Sequence, residues 1–187
     1  MRLSNEQTER LLRGIKPSRV KSLDGMSYVE SYDVRATMNR IFGFTGWSLI
    51  EVTPAVCVFE AEKPLKSGKP GYHVAYRAHL ALIVHTPEGD ATYAGSAVAD
   101  SQMPDFKRAD AHDMALKSAE SGALKRAATN LGDQFGLSLY DNGNLNPVVQ
   151  VVVGFNTSPA TVSPTPEAGG AEARGVATAP SAGTSES

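Results

Sequence analysis

The sequence has little of what marks several classes of protein. Its 187 residues include one cysteine, Cys57, so no disulfide can form within the chain. Apolar residues flank this cysteine, and we interpret it as a buried, inert thiol. No apolar run approaches the roughly 18 residues of a membrane-spanning helix, and the first ten residues contain no apolar signal core. These absences predict a cytoplasmic protein without a membrane partner.

Motifs of nucleotide-driven and covalent chemistry are also missing. The pattern G-x-x-x-x-G-K-[ST] is absent, which disfavours an ATP-driven recombinase or helicase. No Ser/His/Asp or Cys/His nucleophile signature is present, although a triad assembled only in space stays open. We therefore predict a protein that is not an enzyme and needs no cofactor. A formal net charge of −2 excludes a uniformly basic surface but allows a local basic stripe for nucleic acid.

The pattern of apolar residues predicts an α+β fold. Ser4 and Gln7 form a capping-box pattern at the start of a first helix, which Pro17 is expected to close. Loops are expected over residues 19–25 and 100–105. The other predicted elements are a second N-terminal helix over 29–41, a three-stranded antiparallel sheet over 47–62, 72–85 and 91–99, and a long packed helix over 106–131.

The composition changes abruptly after Phe155. Residues 156–187 are almost entirely Ser, Thr, Pro, Ala, Gly and Glu, and such a segment cannot bury enough apolar area to offset the entropy of ordering it. We predict a folded domain over residues 1–155, with a short apolar strand over Val148–Val153, and a disordered C-terminal tail over 156–187. Without the tail, the domain has equal numbers of basic and acidic residues.

The long helix is predicted to have two faces. Lys117, Ser121 and Lys125 stack at four-residue intervals on one side, with Arg126 at its edge. A solvated charged face is one interpretation, and a phosphate-binding face is the other. The helix is rich in small residues, so a neighbouring element can approach it closely. The residues with core spacing are Leu116, Ala119, Ala123, Leu124, Ala127 and Leu131.

Phe44 and Trp47 lie among glycines between the second helix and the first strand. Exposed aromatic rings there could stack on bases, at about 1–3 kcal/mol for each contact. The same positions are also where a helix must pack onto a sheet, so both rings could instead be core anchors. The sequence leaves both interpretations open.

Two groups of side chains raise the question of metal chemistry. The first is His73, His79 and His85, which share a strand face. Their spacing separates successive rings by roughly 20 Å, which one ion cannot bridge. The second is Asp100, Asp105, Asp110 and Asp113, which could bind Mg²⁺ in a nuclease but are better interpreted as helix-capping residues. We predict no metal site, with a metal-dependent nuclease as a minor alternative.

Two stretches resemble the Rad52/Rad22 family of single-strand annealing proteins, and its phage-borne members most of all. The first is YVESYDVRATMNRIFGFTGW over residues 28–47, and the second is ESGALKRAATNLGDQFGLSLYD over residues 120–141. With IKPSRVKSLDG ahead of them and three strands between, the resemblance covers residues 10–141 in the family's order of elements. A phage-encoded chain would act in the host cell cytoplasm.

The resemblance implies a β-β-β-α core that assembles into rings or helical filaments, with single-stranded DNA in a basic groove around the rim. Lys125 and Arg126 match the family's DNA-contacting Lys-Arg pair, and Phe44 stands where an aromatic lies near the bound strand. At two positions the chain departs from the family. Asp33 replaces a basic residue, and Thr129 replaces an arginine.

We therefore predict an ATP-independent protein that binds and anneals single-stranded DNA in homologous recombination and DNA repair, as a homo-oligomer. Arg35, Arg40 or Lys117 could compensate for the two departures. The predicted DNA-binding residues are Lys125, Arg126, Lys117, Arg35, Arg19, Lys21 and Phe44. The alternative is a structural or interaction protein that self-assembles through its sheet and recruits a protein partner through its tail.

Overall fold

A computed structural model describes residues 3–152 of the chain. It confirms the α+β class, with N-terminal helices, a three-stranded antiparallel sheet and one long helix. The elements in chain order are α1 (Asn5–Leu11), β1 (Val20–Leu23), β2 (Met26–Val29), α2 (Ser31–Phe42), β3 (Trp47–Glu62), β4 (Gly71–Thr86), β5 (Gly89–Pro104) and α3 (Arg108–Thr129).

The predicted capping box opens α1. The Ser4 hydroxyl accepts from the Gln7 backbone N–H at 3.2 Å, and the Gln7 side-chain oxygen accepts from the Ser4 N–H at 2.9 Å. The expected end of this helix at Pro17 is wrong, because α1 stops at Leu11. Pro17 instead begins a 3₁₀ turn over Pro17–Arg19, where its fixed φ and missing N–H are tolerated.

The loop expected over residues 19–25 is also wrong, because most of it belongs to a β-hairpin. β1 pairs with β2 in antiparallel register, from Val20 opposite Val29 to Leu23 opposite Met26. Asp24 and Gly25 form the tight turn, and both have positive φ (50° and 79°). An Asp-Gly pair is a strong hairpin signal because it tolerates this backbone conformation.

The main sheet has the order β3-β4-β5, with β4 in the centre. Even-numbered residues of β4 from Tyr72 to Val84 are buried or half-buried on the helix side, which confirms the predicted alternation. The loop expected over residues 100–105 is wrong over its first five residues. They extend β5 to Pro104, because β4 begins at Gly71 and supplies a partner along this whole length.

α3 packs across β4 and β5 through an unbroken row of alanines. The members of this row, spaced four residues apart and fully buried, are Ala111, Ala115, Ala119, Ala123 and Ala127. A Cβ added to Gly95 of β5 would lie 2.2 Å from the Ala123 carbonyl oxygen and 2.6 Å from the Ala127 nitrogen. The expected close approach to the helix therefore occurs at Gly95. Leu116, predicted in the core, is only half-buried.

Past α3, the chain makes two 3₁₀ turns, Asp133–Phe135 and Ser138–Tyr140. The strand expected over Val148–Val153 is not present over residues 148–152, and residue 153 lies outside the described residues. Here the backbone N–H groups of Val148 and Val149 donate to the buried Asp133 carboxylate, at 3.1 and 3.2 Å. The predicted disordered tail, residues 156–187, lies outside the described residues too, and the domain boundary at residue 155 stays a prediction.

Candidate nucleic-acid interface

A groove of about 820 Å³ runs between the β1–β2 hairpin and the C-terminal half of α3. The hairpin forms one wall, α3 forms the other, and residues 135–143 close one side. β5 contributes Ala97 and Val98. The side chains that α3 turns toward the groove are Ser118, Lys125, Arg126 and Thr129, with Gly122 leaving a gap between them. The groove is therefore mainly apolar with two cations on one wall.

Lys125 reaches across the groove toward the hairpin. Its Nζ lies 5.4 Å from the centre of the Tyr28 ring, within the range of a cation–π contact. The side chain is half-buried, as is typical of a lysine whose methylene stem lies on apolar surface beside an open groove. Within the described residues, Lys125 makes no ion pair with a carboxylate. The sequence did not single out Tyr28, because only the tertiary fold brings it to Lys125.

Arg126 lies beside Lys125 on the same wall and is exposed. Its Nη1 donates to the Ser96 backbone oxygen of β5 at 2.6 Å, which fixes the guanidinium at the groove edge. No carboxylate among residues 3–152 pairs with it, and its other N–H donors stay available. An exposed, uncompensated guanidinium is well suited to a phosphate oxygen.

Lys21 belongs to β1 of the hairpin, but it is not among the residues that line the groove. It stands opposite Tyr28 in the β1–β2 register, and directly paired residues project from the same face of a hairpin. Since Tyr28 lines the groove, the register directs Lys21 toward the same side. Lys21 is exposed and has no hydrogen bond or ion pair within the described part of the chain.

Arg19 occupies a different environment from the other predicted residues. Its side chain is 11% exposed and pairs with Asp33, whose side chain is 10% exposed, at 2.8 Å. The guanidinium also donates to the Thr37 hydroxyl at 2.7 Å and to Gln134. Arg19 is not among the residues that line the groove. Asp33, the departure from the family pattern, is thus the counter-ion of Arg19.

Three more predicted residues lie outside the groove lining. Arg35 is exposed on α2 and has no polar partner within residues 3–152. Lys117 donates to Asp113 at 2.6 Å, one turn away on α3. Phe44 is 86% exposed in the turn after α2, so its interpretation as a core anchor is wrong. Trp47 is a core anchor, since it packs against the core and its Nε1 donates to Asn39 at 2.8 Å.

The four aspartates considered for a metal site point to separate partners. Asp105 pairs with Arg108, Asp110 with Lys107, and Asp113 with Lys117. Asp100 pairs with His73 at 2.7 Å. Across the described residues, no group of three or more His, Cys, Asp or Glu side chains is placed to hold a metal ion. The aspartates near the N-terminal end of α3 therefore form separate ion pairs with nearby basic residues.

A Ser/His/Asp chain does occur on the sheet, away from the groove. His85 contacts the Ser48 hydroxyl at 3.1 Å through Nε2 and Asp90 at 2.9 Å through Nδ1. Both His85 and Asp90 are exposed, with side chains 39% and 56% accessible. Solvent screens such a pair, and residues lining the groove do not include these three. We therefore interpret these three hydrogen-bonded side chains as a link between the ends of β3, β4 and β5, and not as an activated nucleophile.

Two side chains near the N-terminal end of α3, the end away from Lys125, have raised pKa values. Hydrogen bonds to Glu62 and Asp105 raise the pKa of Arg108, whose guanidinium lies 4.7 Å from the Tyr72 ring centre. A hydrogen bond to Glu60, together with burial, raises the pKa of the Tyr72 hydroxyl to about 12. His112 contacts the hydroxyls of Tyr72 and Tyr76, at 3.2 and 3.1 Å. This cluster fastens the start of α3 to β4.

Comparison with known proteins gives a family for this fold and groove. Residues 4–153 match the Rad52/22 family double-strand break repair protein. The chain is also 28% identical over 126 residues to the DNA repair and recombination protein RAD52 of Eremothecium gossypii. That match covers 67% of this chain but 27% of the relative, so the matched part corresponds to about a quarter of that protein's length. None of the helices within residues 3–152 has the length and apolarity to cross a membrane.

Proposed function

Because the chain belongs to the Rad52/22 family of double-strand break repair proteins, we propose that it binds single-stranded DNA in the groove and anneals complementary strands without ATP. The observation that carries the proposal is the pair Lys125 and Arg126. Both cations lie on the groove wall without a carboxylate partner among the described residues. Their charge is therefore available to phosphates.

Passive annealing requires that the protein hold the backbone and leave the bases able to pair. Lys125, Arg126 and Lys21 would neutralise phosphates from the two walls, and each phosphate contact releases counterions into solution. The apolar lining between them, including Met26 and Val98, would contact sugars and base faces. No step of this scheme breaks a bond, so neither a catalytic residue nor a cofactor is part of the proposal.

The proposal includes assembly of the protein into a homo-oligomer, either a ring or a filament. β3 is an edge strand of sixteen residues, and β4 is its only strand partner within residues 3–152. Unpaired edges and exposed apolar side chains favour association with another chain. The exposed apolar residues of β3 are Ile50, Val52, Val56, Val58 and Phe59. The same surface supports the second candidate, a structural protein that self-assembles and recruits a protein partner through residues 156–187.

Fluorescence anisotropy with labelled oligonucleotides tests the proposal. Single strands of unrelated sequence should bind with similar affinity. The logarithm of the binding constant should fall linearly with the logarithm of the salt concentration. Two complementary strands carrying a donor and an acceptor dye should then pair faster with the protein than without it, in the absence of nucleotide. Failure to bind single strands even in dilute buffer would favour the structural candidate.

Two further measurements separate the remaining alternatives. Labelled DNA incubated with the protein and Mg²⁺ should stay intact, whereas cleavage would support a nuclease. Electron microscopy of the protein with and without single-stranded DNA should show rings or filaments. A monomer under both conditions would contradict the assembly part of the proposal.

A further inference from the structure

Almost all the N–H donors of the Arg19 guanidinium form hydrogen bonds within the protein. Its Nε donates to Asp33 Oδ2 at 2.8 Å, and its Nη1 donates to the Gln134 side-chain oxygen at 2.8 Å. Its Nη2 donates to the Thr37 hydroxyl at 2.7 Å and to the Gln134 backbone oxygen at 2.8 Å. A guanidinium has five N–H donors, so these four bonds leave no free fork for a phosphate.

The bonds of Arg19 join three parts of the chain. Asp33 and Thr37 belong to α2, and Gln134 belongs to the turn that follows α3. The Gln134 amide in turn donates to the backbone oxygens of Arg13 and Gly14, at 2.7 and 2.9 Å. A buried polar network whose members are satisfied holds its parts in one arrangement. Arg19 is therefore the centre of a brace.

This brace lies at the base of the hairpin wall. Arg19 directly precedes β1, and the next residue pairs with Val29 of β2. Val29 in turn lies against Gly136, where an added Cβ would be 3.2 Å from its Cγ2. Further along β2, Tyr28 meets Lys125 across the groove. The position of the hairpin relative to α3 thus depends on contacts that Arg19 fixes.

We propose that Arg19 is a positioning residue: with Asp33 as its counter-ion, it sets the hairpin wall of the DNA groove and contacts no phosphate. The inference rests on the proposed single-stranded DNA binding. If Arg19 turned outward to a phosphate, it would leave the Asp33 carboxylate buried, and Arg40 at 3.7 Å would be its one remaining cation in the described part of the chain. Removing one partner of a buried ion pair is strongly unfavourable.

Substitution of Asp33 tests the sign of the effect. Removing an acidic charge from a DNA-binding protein ordinarily tightens binding. The positioning role predicts the opposite for Asp33→Asn, a loss of about three- to tenfold in affinity for an oligo-dT probe, because the brace loses its ion pair. Asp24→Asn removes the same charge from the exposed hairpin turn and is the matched control, with affinity equal to or above that of the unaltered protein.

The salt slope of binding separates a positioning residue from a phosphate ligand. Arg19→Lys keeps the charge but cannot make the four hydrogen bonds, so affinity should fall while the slope stays unchanged. The neutral pair Arg19→Gln with Asp33→Asn should also keep the slope, whereas loss of a phosphate ligand would reduce its size by about 0.7. When Lys125→Ala is already present, Arg19→Lys should cause a smaller loss of DNA affinity. The hairpin wall that Arg19 positions then no longer faces the Lys125 ammonium group.

Several results would overturn the inference. One is unchanged or tighter binding by Asp33→Asn, and another is a smaller slope in the neutral pair. A third is a lower unfolding temperature in Arg19→Lys with full DNA affinity, which would make Arg19 purely structural. Failure of the proposed function itself would show separately, as absence of binding by the unaltered protein.

Discussion

The two halves of α3 carry similar side chains but use their charges differently. In the N-terminal half and the turn before it, Lys107, Arg108 and Lys117 each pair with an aspartate three or four residues away. In the C-terminal half, Lys125 and Arg126 have no carboxylate partner among the described residues. Neutralised pairs exert little field beyond a Debye length, whereas unpaired cations beside a groove attract phosphates. Position relative to carboxylates, more than the number of cations, distinguishes the halves.

The largest expected effect is a loss of stability when the close packing of the C-terminal half of α3 against β5 is disturbed. Gly95→Ala would place a Cβ 2.2 Å from the Ala123 oxygen, and the helix must move away. We expect the free energy of unfolding to fall by about 3 kcal/mol, measured by denaturant titration. Ala94→Val, on the exposed side of the same strand, should change it by less than about 0.5 kcal/mol. Equal stabilities for the two variants would contradict the close packing.

Removing the two unpaired cations should weaken DNA binding next most strongly. Lys125→Ala with Arg126→Ala should lower single-strand affinity on the order of 25-fold at 0.1 M salt, and reduce the size of the salt slope by about 1.4. Fluorescence anisotropy over several salt concentrations measures both quantities. Lys107→Ala with Lys117→Ala removes the same charge from the paired half, and should cost less than about threefold. Equal losses in both double variants would remove the distinction between the halves.

The contact of Lys125 with Tyr28 should contribute a smaller share. Tyr28→Leu removes the ring under the ammonium group and should weaken single-strand binding by about two- to fivefold, with the salt slope unchanged. Tyr28→Phe keeps the ring and should bind like the unaltered protein. A loss of the same size in Tyr28→Phe would assign the effect to the hydroxyl group.

The smallest effect is expected at an ion pair of the N-terminal half. Asp113→Asn frees Lys117 from its exposed partner and should lower the free energy of unfolding by about 0.5 kcal/mol or less. DNA affinity should stay the same, because Lys117 lies outside the groove lining. A marked gain in affinity from this single change would show that the DNA also runs along the N-terminal half.

Elements with long periodic patterns were predictable from the sequence. The alternation of β4 and the alanine spacing of α3 each repeat many times, so one irregular residue does not hide them. Short elements were missed. The four-residue strands β1 and β2 offered little alternation, and their Asp24-Gly25 turn was the signal that could have revealed them.

The candidate site was predictable only in part. Lys125 and Arg126 were identified by their place on the long helix and by resemblance to a family, and the structure places both on the groove wall. Arg19 was grouped with them because a sequence shows a cation but does not show its burial. Tyr28 was not singled out, since its partner Lys125 is distant in the chain.

The sequence by itself determined the class of fold, the long helix with its small-residue face, and the adjacent cations near the end of that helix. These features depend on local periodicity and on residue type, which the chain carries directly. Only the tertiary structure decided which cations are free. Asp33 and Gln134 engage Arg19 from distant positions, and Asp113 engages Lys117, while no carboxylate within the described residues pairs with Lys125 or Arg126. Pairing of charges depends on distances across the fold, and the order of residues along a chain does not fix those distances.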